Sequence, residues 1–206
     1  MDYIDALITY ICAFPAFYIY FFLFISAFTE NICPPIPGDT IIAFGAFLAG
    51  RNKLSFSIAY ISTTLGSLAG FMLVFWFGLY VGKNFFMERN LFFFKKEHIV
   101  KTEHWLKKYG YIIILFNRYI PGVRAVVSIT SGILKLSPSK VTASAFVGCA
   151  TWNILIMYIG LHIGSNWQEI KSNLSYLLTR YNLIAITILA LFISSFLLLK
   201  YLKKRS

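Results

Sequence analysis

Charged side chains are scarce in this chain of 206 residues: Asp, Glu, Lys and Arg together make up 13% of it, against 58% hydrophobic residues. Soluble domains carry about 25% charged residues, so the composition excludes an ordinary soluble protein. Acidic residues are fewer than basic ones, 8 against 19, which gives a net charge of +11. The sequence therefore predicts one integral membrane domain, residues 1–206, of all-α class.

Cysteine and histidine are also rare. Cys12, Cys33 and Cys149 are the only cysteines and form no CxxC pair, which argues against a disulfide framework or a metal site. The only histidines are His98, His104 and His162, and none of them clusters with arginines as in an acid phosphatase. We therefore predict that the protein is not an enzyme and has no cofactor, with a lipid phosphatase as one alternative.

We expect that the N-terminal segment is not a secretory signal. It begins MDYIDALITY, which is acidic rather than basic, and no small-residue cleavage site follows the first apolar run at the expected distance. We expect the first apolar run to be retained as a membrane span.

The sequence does contain long runs without charged residues. Residues 6–28, 54–82 and 182–199 include no Asp, Glu, Lys, Arg or His, and residues 141–168 include only His162 among these types. A helix needs roughly 20 apolar residues to cross a bilayer. The sequence thus predicts four full transmembrane helices, the last over residues 181–200.

The basic residues mark the cytoplasmic side. Seven of them lie between the second and third spans, and four more end the chain: Lys83, Arg89, Lys95, Lys96, Lys101, Lys107, Lys108, then Lys200, Lys203, Lys204 and Arg205. The positive-inside rule places both regions, and both termini, in the cytoplasm. The charge does not indicate a nucleic-acid partner.

The basic segment 84–108 has a seven-residue apolar spacing. Phe85, Phe92, Ile99 and Leu106 recur among its lysines, which suits a helix lying at the cytoplasmic interface of the membrane. A solvated loop is the alternative.

The chain also repeats itself. Seven residues recur 82 positions later, and Ile36-Pro37-Gly38 recurs as Ile120-Pro121-Gly122, 84 positions later. The seven are Gly50, Lys53, Leu54, Ser55, Gly66, Gly78 and Gly82, matched by Gly132, Lys135, Leu136, Ser137, Gly148, Gly160 and Gly164. We interpret residues 30–82 and 111–164 as two copies of one unit.

Each copy contains a break at membrane depth. Proline cannot continue a straight helix, and Pro37-Gly38 and Pro121-Gly122 interrupt apolar segments. Counting spans from the cytoplasmic basic loop puts both ends of each broken segment on one side, but on opposite sides for the two copies. The sequence therefore predicts two re-entrant helical hairpins in an inverted repeat, an arrangement typical of transporters.

Two acids and two arginines lie in these hairpins: Glu30, Asp39, Arg118 and Arg124. Ionisable residues inside a membrane indicate function by default, although a purely structural salt bridge is an alternative. Arginine binds phosphate through two parallel hydrogen bonds. A carboxylate withdrawn from water binds a proton more readily, so Glu30 and Asp39 are candidates for proton coupling.

These segments carry a resemblance. The turn PPIPGD, the motif FNRYIPGVR at 116–124, the following SGILKLS and the span GCATWN are similar to the DedA family of bacterial membrane proteins, which contain the SNARE-associated or VTT domain. The resemblance covers residues 30–164. It implies a helical fold with two re-entrant hairpins and the movement of phosphorylated lipids between leaflets, with Glu30, Asp39, Arg118 and Arg124 as functional residues.

The function expected from these observations is a flippase of the bacterial cytoplasmic membrane. Its cargo would be an anionic lipid, undecaprenyl phosphate first, bound by Arg118 and Arg124. A phospholipid flippase or scramblase, and a structural or chaperone-like membrane protein, are the alternatives. The sequence leaves open whether H⁺ or Na⁺ is coupled, and the GxxxG motifs at Gly78 and Gly160 leave a homodimer open.

Overall fold

The computed structural model of the chain describes residues 11, 13–33, 37–88, 96–120, 123–167 and 169. Contacts divide the chain into two units, Met1–Ser165 and Asn166–Ser206. Nearly all of the second unit, including the predicted span 181–200, lies outside the described residues. The architecture below is that of the first unit.

Helices make up almost all of the described part of this unit, which contains no β-strand. The prediction of an all-α fold is therefore confirmed. The helices are α1 (Ala16–Ile32), α2 (Gly38–Gly50), α3 (Phe56–Glu88), α4 (Lys96–Tyr109), α5 (Ile112–Phe116), a 3₁₀ turn (Asn117–Tyr119), α6 (Arg124–Ile133) and α7 (Pro138–Ser165).

Two of these helices are long and apolar enough to cross a membrane. They are α3 as far as Gly82, 27 residues, and α7, 28 residues. Gly82 interrupts the helical backbone of α3 with a φ of 74°. The two helices run antiparallel, because Thr63 hydrogen-bonds the Met157 sulfur at 3.7 Å, whereas Thr142 hydrogen-bonds the Met72 sulfur at 3.4 Å.

Helices α1 and α2 form an antiparallel hairpin. Leu23 packs on Gly45 near its open end, and Glu30 packs on Gly38 near its tip. Helix α1 ends at Ile32 because Cys33 is extended, with φ −120° and ψ 93°, as expected of a residue that precedes proline.

The start of this hairpin differs from the prediction. The sequence predicts that Glu30 begins the hairpin after a separate full span over residues 6–28. Instead, α1 runs without interruption from Ala16 to Ile32 and carries Glu30 near its end. The physical reason is that no proline or glycine lies between Pro15 and Pro34, so nothing ends the helix before the predicted break.

Helix α1 runs parallel to α3. The carbonyl of Phe24 lies against Gly66, and that of Phe28 lies against Gly70. Both ends of the α1–α2 hairpin therefore lie at the level where α3 begins, and its tip reaches about halfway along α3. Tyr20 marks the open end, since its hydroxyl accepts a hydrogen bond from the backbone N–H of Ser55 at 2.7 Å.

The segment from α5 to α6 doubles back in the same way from the other end. Its first arm runs parallel to α7: the Leu115 carbonyl lies against Gly148, and the Tyr119 hydroxyl bonds that of Thr151 at 3.2 Å. Its second arm, α6, runs parallel to α3, because Ser128 donates to the Phe71 carbonyl at 2.5 Å and Gly132 packs on Phe75. The tips of the two hairpins meet.

The second arm of each hairpin packs on the long helix of the other sequence copy. Helix α2 lies on α7, with the Ala43 carbonyl against Gly160, and α6 lies on α3, with the Ile129 carbonyl against Gly78. Gly78 and Gly160 are matching positions of the sequence repeat. At both, a side chain would overlap the backbone of the crossing helix, so glycine permits the close approach.

The basic segment contains a helix. Ile99 and Leu106 of α4 are buried, while the lysines at 101, 107 and 108 are exposed. A helix is therefore present at Lys96–Tyr109, and its position at the cytoplasmic interface stays a prediction. Phe92 and the side chain of Phe85, the other members of the predicted apolar row, lie outside the described residues.

Candidate functional site

The four ionisable residues singled out in the sequence come together where the hairpin tips meet. Glu30 lies in the last turn of α1, and Asp39 is the second residue of α2. Arg118 lies in the 3₁₀ turn, and Arg124 opens α6. The acids thus belong to one hairpin and the arginines to the other.

Each arginine contacts both acids. Arg124 Nη2 lies 2.6 Å from Glu30 Oε1, and Arg124 Nη1 lies 3.9 Å from Asp39 Oδ2. Arg118 Nη2 lies 3.4 Å from Asp39 Oδ1 and 3.7 Å from Glu30 Oε2. Only the Arg124–Glu30 contact has the length of a strong charge-assisted hydrogen bond. The other three contacts are loose.

Exposure divides the four side chains into a deep pair and an outer pair. Glu30 and Arg118 are 2% and 1% exposed, whereas Asp39 and Arg124 are 33% and 19% exposed. The cluster is therefore more accessible beside Asp39 and Arg124 than beside Glu30 and Arg118.

Hydrogen-bonding capacity remains unused around this cluster. Within the described residues, the buried atoms without a hydrogen-bond partner include Glu30 Oε2, Arg118 Nε and Arg124 Nη1. A buried arginine N–H with no acceptor is costly. An anion with several oxygens would satisfy both guanidinium groups.

Two helix N-termini point at the same place. Helix α2 begins at Gly38 and α6 at Arg124, and neither has a side-chain cap. The first-turn N–H groups of a helix have no partner within it, and its N-terminus carries a partial positive charge. Arg124 adds a full positive charge at this end of α6, which is unfavourable unless an anion lies close. Glu30 is that anion here.

One of the two predicted breaks, at Pro37 and Gly38, lies within the described residues and coincides with the start of α2. Pro37 immediately precedes α2, and Gly38 is buried against Glu30. Any side chain at position 38 would overlap the Glu30 side chain, so this glycine allows the carboxylate to reach the arginines. Pro121 and Gly122, the second break, lie outside the described residues.

Sequence reasoning missed the contribution of α7. Trp152 Nε1 donates to Asp39 Oδ1 at 3.0 Å, and Arg118 Nη1 donates to Cys149 Sγ at 3.4 Å. The sequence predicted a role at this site for neither residue. Both lie in the motif GCATWN, which forms part of the family resemblance, but neither is charged and the motif alone does not indicate a contact with Asp39 or Arg118.

A second polar group lies between α3 and α7. The side-chain amide of Asn153 is fully buried and donates to Thr64 at 3.3 Å and to Ser67 at 3.5 Å. Among the described residues, no group of three or more His, Cys, Asp or Glu is placed to hold a metal ion.

Comparison with known proteins places the chain in a family. The model of the VTT domain matches residues 36–162, which contains three of the four charged residues and both breaks. No solved structure matches the chain.

Several relatives cover most of this chain. Undecaprenyl phosphate transporter A of Bacillus subtilis (strain 168) is 28% identical over 158 residues, covering 76% of this chain and 80% of that protein. An alkaline phosphatase-like protein of Lactococcus lactis subsp. lactis (strain IL1403) is 32% identical over 187 residues, 85% of this chain and 83% of that protein. Protein DedA of Escherichia coli (strain K12) is 24% identical over 153 residues, with coverages of 72% and 70%.

Proposed function

The chain belongs to the VTT domain family, and we propose that it is a bacterial membrane transporter that moves a phosphorylated lipid, undecaprenyl phosphate, between leaflets. The observation that carries this proposal is the site at the hairpin tips. Two arginines with unused N–H groups and two uncapped helix N-termini converge there, in a protein whose long helices are apolar.

Phosphate fits this site better than a carboxylate does. A phosphate oxygen can accept from more than one donor, and bidentate arginine contacts suit it. The helix N-termini add further positive potential. Three of the four present Arg–carboxylate distances are 3.4 Å or longer, so the acids occupy the arginines without using their full capacity.

A lipid rather than free phosphate is supported by the surroundings. An apolar cavity of about 340 Å³ lies along the α1–α2 hairpin, lined by residues of both arms between Phe14 and Leu23 and between Ile41 and Leu48. An isoprenoid chain placed there would bury apolar surface, which free phosphate does not have. The name of the Bacillus subtilis relative favours undecaprenyl phosphate over a phospholipid, whose flipping or scrambling is the second candidate.

Charge balance suggests how protons enter. With both acids ionised the four side chains sum to zero, so an added phosphate brings uncompensated negative charge into a poorly hydrated site. Such a charge is costly unless it is paired. Protonation of Glu30 or Asp39 as the phosphate binds would remove the excess, and the reverse step would release the lipid. Na⁺ remains the other candidate for coupling.

The membrane arrangement belongs to the same proposal. If α3 and α7 cross the bilayer, the two hairpins enter from opposite faces and their tips meet near the middle, as an inverted repeat requires. The basic residues after α3 place the open end of the second hairpin in the cytoplasm. Irregular backbone at this depth is tolerated where protein or a wet cavity surrounds it.

Binding of a short-chain polyprenyl phosphate to the purified protein tests the function. We expect wild type to bind, and Arg124→Ala to lose roughly 100-fold or more in affinity, since about 3 kcal/mol is typical when a charged hydrogen-bond donor is removed. A neutral polyprenol and phosphatidylethanolamine are the control ligands. Equal binding by wild type, Arg118→Ala and Arg124→Ala would contradict the proposal.

Charge-conserving variants separate transport from structure. Arg118→Lys and Arg124→Lys keep a positive charge that can hold a salt bridge but lose the planar fork. We expect both variants to fold and to fail in a growth-complementation assay. Full complementation by both would favour a structural or chaperone-like role instead.

A further inference from the structure

One turn of α7 contacts both hairpins. Trp152 donates its indole N–H to Asp39 of the first hairpin at 3.0 Å. The adjacent Thr151 bonds the hydroxyl of Tyr119 of the second hairpin at 3.2 Å. The Tyr119 and Trp152 rings also meet edge to face, with centroids 5.0 Å apart. This turn therefore links the two tips beside the opening of the site.

Among the described side chains that contact Asp39, Trp152 is the closest hydrogen-bond donor, and it is uncharged. Trp152 Nε1 lies 3.0 Å from Asp39 Oδ1, whereas Arg118 Nη2 lies 3.4 Å from the same oxygen and Arg124 Nη1 lies 3.9 Å from Oδ2. An indole N–H donates to only one acceptor and cannot form the paired contacts that a phosphate takes from arginine. Trp152 can therefore stay with Asp39 when the arginines change partner.

A displaced carboxylate needs a donor of its own. If phosphate took the arginine N–H groups, Asp39 without another donor would either lose its hydrogen bonds in a poorly hydrated site or compete with the phosphate for the arginines. An indole already bonded to Asp39 removes that competition.

We propose that Trp152 is a positioning residue that holds Asp39 while Arg118 and Arg124 transfer their hydrogen bonds to the lipid phosphate. This inference rests on the proposed function and adds a residue to it. Trp152 acts through Asp39 and needs no contact with the lipid.

A double-mutant cycle tests the role of Trp152. Trp152→Phe keeps an aromatic ring and removes the N–H. We expect it to weaken binding of short-chain polyprenyl phosphate roughly tenfold, because Asp39 then competes for the arginines. In an Asp39→Asn background no charge competes, so the same substitution should change binding by less than about twofold. An equal loss in both backgrounds would assign Trp152 to packing alone and overturn the inference.

Trp76→Phe is the matched control. Trp76 lies on α3, is 39% exposed and packs against Phe75 and Tyr80, away from the four charged residues. It should leave the binding of polyprenyl phosphate unchanged in both backgrounds. A tenfold loss in this control would show that the assay reports general damage, and the Trp152 result would then count against the inference.

The rate of alkylation of Cys149 tests the role of Trp152 without any lipid. Cys149 is 2% exposed and lies against Arg118, so its modification by a small maleimide reports opening of the site. In a background of Cys12→Ser and Cys33→Ser, we expect Trp152→Phe to speed this modification about fivefold or more, because Asp39 is held less firmly. An unchanged rate would overturn the inference.

The two readings distinguish the two proposals. If the wild type bound no polyprenyl phosphate, the proposed function would fail. Faster alkylation of Cys149 in Trp152→Phe would even then support the attachment of Asp39 to Trp152.

Discussion

The two hairpins share their geometry and differ in their charge. Each has an Ile-Pro-Gly break in the sequence, and each sends its second arm across the long helix of the other copy at a repeated glycine, Gly78 or Gly160. Yet the first hairpin brings Glu30 and Asp39 to the meeting point, and the second brings Arg118 and Arg124. Neither tip could be buried alone without leaving two like charges unpaired.

The features that the hairpins share and those that they do not share have separate consequences. The shared part, breaks and glycines, builds two tips that meet. The unshared part makes the meeting electrostatically complementary and places two positive groups where an anion can reach them. Within each hairpin one charge is deep and one is near the opening, 2% against 33% for the acids and 1% against 19% for the arginines. The deep pair should therefore contribute more to stability than the outer pair, because buried charges lose more when a partner is removed.

Glu30→Gln should have the largest effect on stability. Glu30 contacts both arginines and is almost fully buried, so the neutral amide leaves buried positive charge poorly compensated. We expect the free energy of unfolding in detergent to fall by about 3–5 kcal/mol. Lys107→Gln, which breaks an exposed pair on α4 with a 65% exposed lysine, is the control and should cost less than about 1 kcal/mol. Equal effects would remove the distinction between deep and exposed charges.

Gly78→Ala and Gly160→Ala should have similar intermediate effects. Each added methyl group overlaps the carbonyl of a crossing helix, Ile129 or Ala43, so the helices must separate. We expect losses of about 1–3 kcal/mol for both, measured by the same unfolding assay, since the crossings are equivalent. Ala143→Val adds volume to an exposed position of α7 and should cost little. A large loss at one glycine and none at the other would show that the two helix crossings are not equivalent.

Asp39→Asn should separate stability from function. Because Asp39 is 33% exposed and keeps its hydrogen bond from Trp152, we expect the stability loss to be about 1 kcal/mol or less. Transport should nevertheless fail, because an amide cannot take up and release a proton. Growth complementation measured beside thermal unfolding checks this. A variant that complements fully would remove Asp39 from the coupling mechanism.

The smallest effect is expected where the hairpins return to the long helices. Asn52, after α2, and Lys135, after α6, both have positive φ, 57° and 54°. Asparagine tolerates this conformation better than lysine does. Lys135→Gly should therefore raise the free energy of unfolding by about 0.5–1 kcal/mol, and Asn52→Gly should change it by only a few tenths of a kcal/mol. Destabilisation by Lys135→Gly would indicate that its side chain has a role of its own.

The four charged residues singled out in the sequence lie together in the structure, whereas one helix boundary differs from the prediction. Glu30, Asp39, Arg118 and Arg124 were identifiable because charge in apolar segments is rare and costly, and all four meet. The predicted boundary between a first span and the first hairpin is absent from α1, which runs unbroken from Ala16 to Ile32, because hydropathy does not distinguish a separate helix from the first arm of a helical hairpin. That distinction depends on where α1 packs along α3, which residues such as Gly66 and Gly70 determine.

The membrane character of the chain, the break before α2 and the four ionisable residues are predictable from the sequence, because these depend on local properties: apolar length, proline and charge. The tertiary structure is needed to show which charge is buried, which arginine makes the short contact and that Trp152 binds Asp39. The partners in those contacts are 94 residues apart for Glu30 and Arg124, and 113 apart for Asp39 and Trp152. Such pairs are fixed by how closely helices cross, and no local pattern in the chain encodes that distance.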